Sequence, residues 1–172
     1  MALRRSVRFA RITQPFGPAD ANVASLEPSM YHLGESAYWQ FIEGYHKHLH
    51  FHPGIDRAAQ LGTNVLAMEK GKVVFAGWKD TISGNQVEVE IRPGTVYSVN
   101  HLHRINALVK VGRKVQRGQV IGQVGMTGTA TGPHVHEGVS IRDGHGRSIL
   151  WNPNIFFRGG SRANDPAIKP LP

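Results

Sequence analysis

Ten histidines stand among 172 residues, and they are clustered rather than spread. In His134-Val135-His136 two imidazoles are separated by one residue. On a β-strand, where side chains alternate, both rings stand on one face about 7 Å apart, with Val135 on the other. Both can then reach one metal ion, or one can bind it while its neighbour serves the water on it. A second pattern, His52-Pro53-Gly54-Ile55-Asp56, puts a nitrogen and a carboxylate on either side of a Pro-Gly turn. Zn²⁺ takes both donor types at about 2.0–2.2 Å, and three protein ligands with an open fourth position is the catalytic rather than the structural arrangement. His101 adds a candidate base. Taken alone, an HxH pair is more often two solvated or hydrogen-bonded strand histidines than a metal site, and a lone HxxxD says less still. Their occurrence together, with His101 between them, is what favours chemistry.

Such side chains need a frame. From His52 onward short apolar runs are cut by glycine about every ten residues, the spacing of an all-β sandwich or barrel. The runs predict strands at Asn64–Met68, Lys72–Trp78, Gln86–Arg92, Thr95–His101, Gln119–Val124 and His134–Ile141. Strict alternation over 86–91 aims Val87, Val89 and Ile91 at a core and Gln86, Glu88 and Glu90 at water. Along 134–141 it aims Val135, Val139 and Ile141 inward. Glu69-Lys70-Gly71 and Arg92-Pro93-Gly94 read as hairpin turns, and Val111 to Gly122 as tight β corners. Residues 8–18 predict a short strand ending in a turn, because Pro15, Gly17 and Pro18 do not suit a regular element. Residues 35–44 are compatible with one or two helical turns. The segment 19–50, with Tyr31, Tyr38, Trp39, Phe41 and Tyr45, is too long for an ordinary loop and is expected to edge a groove. His46, His48 and His50 alternate in an extended lead into His52.

Composition agrees with this frame. Hydrophobic residues make up 40% and charged residues 19%, with 20 Gly and 10 Pro, which disfavours disorder and coiled coil. The fold expected is a small antiparallel β-sheet or barrel-sandwich domain over 1–160, with little helix and long loops, followed by a tail or linker at 161–172. The chain suits one domain and a monomer. The absence of cysteine removes disulfides, thiolate metal sites and cysteine nucleophiles. No apolar run approaches the roughly 18 residues that span a bilayer, and residues 1–9 show no export leader. The formal charge of +8 implies attraction to polyanions. Its cations are scattered, and Arg113, Lys114 and Arg117, the nearest thing to a run, have no recognition helix or interleaved aromatics, so nucleic acid is not the expected partner.

With these motifs in order, the sequence resembles the M23 metallopeptidases, peptidoglycan endopeptidases of the lysostaphin and LytM type. The resemblance runs from about Ile12 to Phe157. It is carried by Ile12-Thr13-Gln14-Pro15-Phe16-Gly17, by His52-Pro53-Gly54-Ile55-Asp56 for HxGxD, and by His101-Leu102 for the middle motif. Val115 to Gly122 and the long Gly125 to His136 stretch, TG…TGPHxH, complete it. The resemblance implies one Zn²⁺ held by His52, Asp56 and His136. It implies that His134 and His101 flank the water, with His134 as general base and His101 as oxyanion partner, or the two exchanged. It implies cleavage of cross-bridge or stem peptides in bacterial peptidoglycan, at the cell wall. A basic wall hydrolase without a visible leader fits a phage lysin or virion-associated enzyme, or the mature form of an exported protein.

The sequence departs from the family pattern in two places. The family has an aromatic after HxH, then Glu; here Glu137 and Gly138 follow His136. Glu137 shares the apolar face of Val135 and needs a partner or solvent. The family's Tyr two before the middle His is Val99 here, and Tyr97 lies four before His101, which argues against a role for it in transition-state stabilisation. His103 falls where the strand turns away. Two other functions compete. A non-catalytic wall-binding or hydrolase-activating member of the same fold would lack a ligand, and none is missing. A lipoyl- or biotinyl-type carrier, suggested by Ala67-Met68-Glu69-Lys70, would leave the histidines unexplained.

Overall fold

A computed structural model describes residues 6–8, 10–14, 17–18, 51–142, 148–151, 153 and 156. The expectations for 19–50, including a helix at 35–44 and the alternating histidines 46, 48 and 50, and for the tail 161–172, lie outside the described residues. The protein is all-β. Its strands are β1 (Arg11–Gln14), β2 (Gly17–Pro18), β3 (Phe51–His52), β4 (Ile55–Ala58), β5 (Asn64–Leu66), β6 (Gly71–Trp78) and β7 (Asn85–Arg92). They continue with β8 (Thr95–Val99), β9 (Arg104–Ile105), β10 (Lys114–Val115), β11 (Val120–Gln123), β12 (His134–Arg142) and β13 (Ser148–Trp151).

An eight-stranded antiparallel sheet runs β1-β4-β12-β8-β7-β6-β10, with β13 also on β12. A smaller sheet, β5-β11-β9, packs Val65, Ile105 and Ile121 against it. Between them Val87, Val89, Val99, Val135, Leu102 and Ile121 are fully buried, joined by Val7 from the N-terminal segment. Nine-residue β12 organises the large sheet: its first half pairs with β4, its second half with β13, and its other edge with β8. Alternation along it puts Val135, Glu137 and Val139 in the interior and His134 and His136 on the outer face.

Several expectations need correction. His52 to Asp56 is more than a turn: Ile55–Ala58 is a strand, because β12 offers it an edge on which Ile55 and Arg57 bury while Asp56 faces out. Gly17–Pro18 pairs with Phe51–His52 despite its proline, a residue that a short strand at a sheet edge tolerates. Glu69-Lys70-Gly71 is not a hairpin; it carries the chain from the small sheet to the large one, since β5 pairs with β11 and β6 with β7 and β10. Gln86 is buried rather than solvated, and Ile91 is only half-buried beside a register shift between Glu90 and Arg92. Strand β8 stops at Val99, so His101 stands in a loop. Arg92-Pro93-Gly94 does form the expected turn, with Gly94 at φ 73°.

Gly125 shows how tightly the frame closes on the loop after β8. A Cβ there would collide with the backbone of His101, Leu102 and His103, whereas a Cβ on Gly132 would meet nothing within 4 Å. Gly125→Ala is therefore expected to cost on the order of 1–3 kcal/mol, and Gly132→Ala to stay within about 0.5 kcal/mol of wild type. Denaturant unfolding of both variants reads the difference.

Candidate metal centre

Asp56 and His136 face each other directly across the β4–β12 ladder. His136 Nδ1 lies 3.0 Å from Asp56 Oδ1. His52, carried in by β3 and the Pro53-Gly54 turn, places Nε2 3.1 Å from Asp56 Oδ1 and 3.1 Å from His136 Nδ1. Gly54 makes this possible, since a Cβ there would run into the His136 ring and the Glu137 carbonyl. A nitrogen, a nitrogen and a carboxylate oxygen thus form a nearly equilateral triangle. Tetrahedral zinc with bonds of about 2.0–2.2 Å spaces its ligands roughly 3.3–3.6 Å apart, so a small opening of the triangle accommodates the ion. This triad forms a cluster of potential metal donors among the described residues.

Two further histidines stand against the triad. The His101 and His134 rings lie 4.6 Å apart between centroids, and His101 lies 6.2 Å from His136. Each has one nitrogen committed to a backbone carbonyl: His134 Nδ1 to Gly132 O at 2.8 Å, His101 Nδ1 to Thr127 O at 2.8 Å. A carbonyl only accepts, so in the neutral rings Nδ1 carries the hydrogen and Nε2 keeps its lone pair. His134 Nε2 is 3.7 Å from Asp56 Oδ2. His101 adopts φ 62°, the left-handed region that residues other than glycine rarely enter, and its N–H donates to Ser83 O. That backbone is strained and held by its neighbours, a pattern concentrated at functional sites.

The electrostatics separate these groups. Burial would push the Asp56 carboxyl up, but hydrogen bonds from His136 and His52 and the charge of those rings outweigh it and hold the group well below its ordinary range. Burial pulls His101 below the usual histidine value, the Thr127 hydrogen bond opposing and the neighbouring rings of His134 and His136 adding to it. His101 is therefore kept neutral.

All five residues line one open groove of about 380 Å³. Its walls also include Gln14 and Thr129 to Thr131, which belong to the motifs named above without a role of their own there, and Ile82, Ser83 and Asn100, which the sequence reading left unmarked. Ile82 is 70% exposed at the lip. The adjacent loops are joined by main-chain bonds, with Thr129 N donating to Ile82 O, and by Asn85 N donating to Thr127 Oγ1. Position next to His101 was the available signal for Asn100; the others come together only through folding. Tyr97 is buried, its hydroxyl donating to Glu69 O, and burial pushes that hydroxyl's pKa up. It does not line the groove. His103 is exposed and also lies outside the lining.

A β-sheet that presents a His, His, Asp triad with two more imidazoles in an open groove defines a candidate metallohydrolase. Comparison with known proteins assigns the lineage: residues 50–148 match the model of peptidase family M23, and the chain belongs to that family. It is 41% identical over 85 residues to lysostaphin of Staphylococcus simulans, covering 49% of this chain and 17% of that protein. It is 41% identical over 91 residues to the peptidoglycan DD-endopeptidase ShyA of Vibrio cholerae, covering 53% of this chain and 20% of that one. The chain thus spans about a fifth of the length of these relatives. Among solved structures, the catalytic domain of lysostaphin from S. simulans superposes with a TM-score of 0.63 at 28% identity, covering 87% of this chain and 93% of that one. The catalytic domain of a prophage-encoded M23 protein from Enterococcus faecalis gives 0.54 at 36% identity, covering 64% and 81%.

Metal uptake should follow the histidines. Histidine ligands bind a metal only when deprotonated, and Asp56 stays ionised well below the ordinary carboxylate range, so zinc binding is expected to weaken with falling pH before Asp56 takes up a proton. Equilibrium dialysis against zinc across about pH 5 to 8 checks this, and binding that does not weaken across that range would contradict it.

Proposed function

We propose that this chain is a zinc-dependent endopeptidase that hydrolyses peptide bonds in bacterial peptidoglycan, acting at the cell wall as a monomer, with 1–160 as its catalytic domain. The observation that carries this reading is the convergence of His52, Asp56, His136, His101 and His134 in one groove, with the backbone setting the tautomer of the last two. ShyA, named a peptidoglycan DD-endopeptidase, supports the substrate class. The non-catalytic alternative loses ground because no expected side chain is missing.

His52 Nε2, Asp56 and His136 Nδ1 would hold the zinc. When bound, the ion supplies a Lewis acid for the scissile carbonyl and brings the pKa of a water toward neutrality. His134 Nε2, unprotonated and facing the Asp56 carboxylate, accepts the proton from the attacking water and returns it to the leaving amine, the carboxylate favouring the transient imidazolium. His101 suits this less, because burial opposes its positive charge. Nor does neutral His101 suit an oxyanion, since its only N–H is spent on Thr127 O. Its Nε2 is placed to orient the water or a substrate N–H, and the carboxamide of Asn100 in the groove wall offers the N–H donors that His101 lacks.

His136→Ala is expected to abolish both bound zinc and activity, and His134→Ala to lower kcat by roughly 10²–10⁴ with zinc retained. Metal analysis and peptidoglycan turbidity on the same preparations test this, together with chelator inhibition and recovery on adding zinc. Wild type that holds zinc and binds the wall without clearing it would move the reading to a binding protein.

The net charge of +8 predicts a second behaviour. Added salt should weaken attachment to anionic wall polymers while leaving cleavage of a short soluble peptide largely unchanged. Sedimentation of protein with walls, run beside a peptide assay, separates the two; equal salt sensitivity would contradict charge-driven attachment.

A further inference from the structure

On the interior face of the sheet, directly behind the metal donors, lies a charged pair that the proposed chemistry does not use. Arg57 and Glu137 are 1% and 0% exposed, and Arg57 Nε donates to Glu137 Oε2 at 2.7 Å. Arg57 follows Asp56 on β4 and Glu137 follows His136 on β12, so each charged residue shares a peptide bond with a metal donor. Arg57 opposes Val135 and Glu137 opposes Ile55, which makes their contact a diagonal brace across the same ladder that sets Asp56 against His136. The other oxygen, Glu137 Oε1, accepts from Ser6 N–H at 2.8 Å and from the Ser6 hydroxyl at 2.6 Å. Ser6 is fully buried, its carbonyl accepts from Leu66 N–H on the small sheet, and Val7 beside it is in the core. This segment lies outside residues 50–148, the stretch that matches the family.

We infer that Arg57 and Glu137 are positioning residues for the metal centre, and that the N-terminal segment completes it through Ser6. The inference rests on the zinc-peptidase reading. Charge-assisted hydrogen bonds are directional, and bonds at both oxygens leave the Glu137 carboxylate little rotational freedom. The brace therefore restrains how β12 presents His136 and how β4 presents Asp56, a restraint that apolar packing of the same volume does not supply. Groups one step behind metal ligands change metal affinity by roughly 10–100-fold when altered.

The test compares zinc affinity, measured by competition with a chromophoric chelator well below each melting temperature, with Tm, for wild type and variants of the full chain. Glu137→Gln and Ser6→Ala each remove part of the brace, and the double variant Arg57→Met with Glu137→Leu replaces the pair by apolar side chains. Zinc affinity is expected to fall about tenfold or more in Glu137→Gln and less in Ser6→Ala, which keeps its backbone bond. The double variant should recover Tm without recovering zinc affinity. Affinity that tracks Tm throughout, or that returns to wild type in the double variant, overturns the inference and leaves the pair a fold-stabilising contact only. A wild-type chain that binds no zinc overturns the zinc-peptidase reading itself, whereas wild type that binds zinc beside variants that bind it equally overturns the brace alone.

Discussion

Everything at this site depends on the register of one strand pair. Where β4 meets β12, Asp56 lies opposite His136, and the hydrogen bond between them closes one side of the donor triangle. Because side chains alternate, a slip of one residue would exchange the two faces of a strand: the outward imidazoles and carboxylate would turn to the core and the inward residues to the groove. The register is held from several directions. Strand β12 continues past β4 to pair with β13 and is flanked on its other edge by β8, so its position is determined by the whole sheet.

The two faces of this pair carry opposite physical demands. On the outer face, lone pairs converge within hydrogen-bond distance, which is costly without a cation or shared protons among them. On the inner face, an arginine and a glutamate are taken fully out of water, which costs several kcal/mol per ion and is offset only by good geometry. Removing one partner of such a pair typically costs about 3–5 kcal/mol because the other charge is left buried. Both arrangements require the backbones to be close and fixed. Gly54 and Gly125 provide the closeness, the first by admitting the His136 ring and the second by admitting the main chain around His101.

Much of this was legible in the chain. The HxH spacing, the Pro-Gly turn between His52 and Asp56 and the alternation of 134–141 each reduce to local geometry, and local geometry survives folding. What was not legible depends on distant partners. Glu137 appeared on an apolar face without a companion; its companions are Arg57, 80 residues away, and Ser6, 131 residues away. Strand β4 exists because β12 supplies its edge, and its four residues carry too short a pattern to announce it. His101 looked like the end of a strand, since no pattern of residue types marks a left-handed histidine; its conformation comes from Ser83 and Thr127, which hold its backbone and its ring. Gln86 broke the alternation in the same way, buried by surroundings rather than by its own character.

The groove wall has a different kind of significance. Its loops hold one another largely through main-chain atoms: Thr129 N to Ile82 O, His101 N to Ser83 O, and the close backbone approach of Gly84 to Thr127 and of Gly128 to Ile82. Main-chain bonds are indifferent to side-chain identity, so Ile82 and Ala130 can change without dismantling the wall, whereas Thr129 also spends its hydroxyl on Thr81 O. Structure and selectivity are thereby uncoupled at this lip. A lineage carrying such a wall can drift through different side chains there one mutation at a time, redrawing what fits the groove while the donor triad on its floor stays intact.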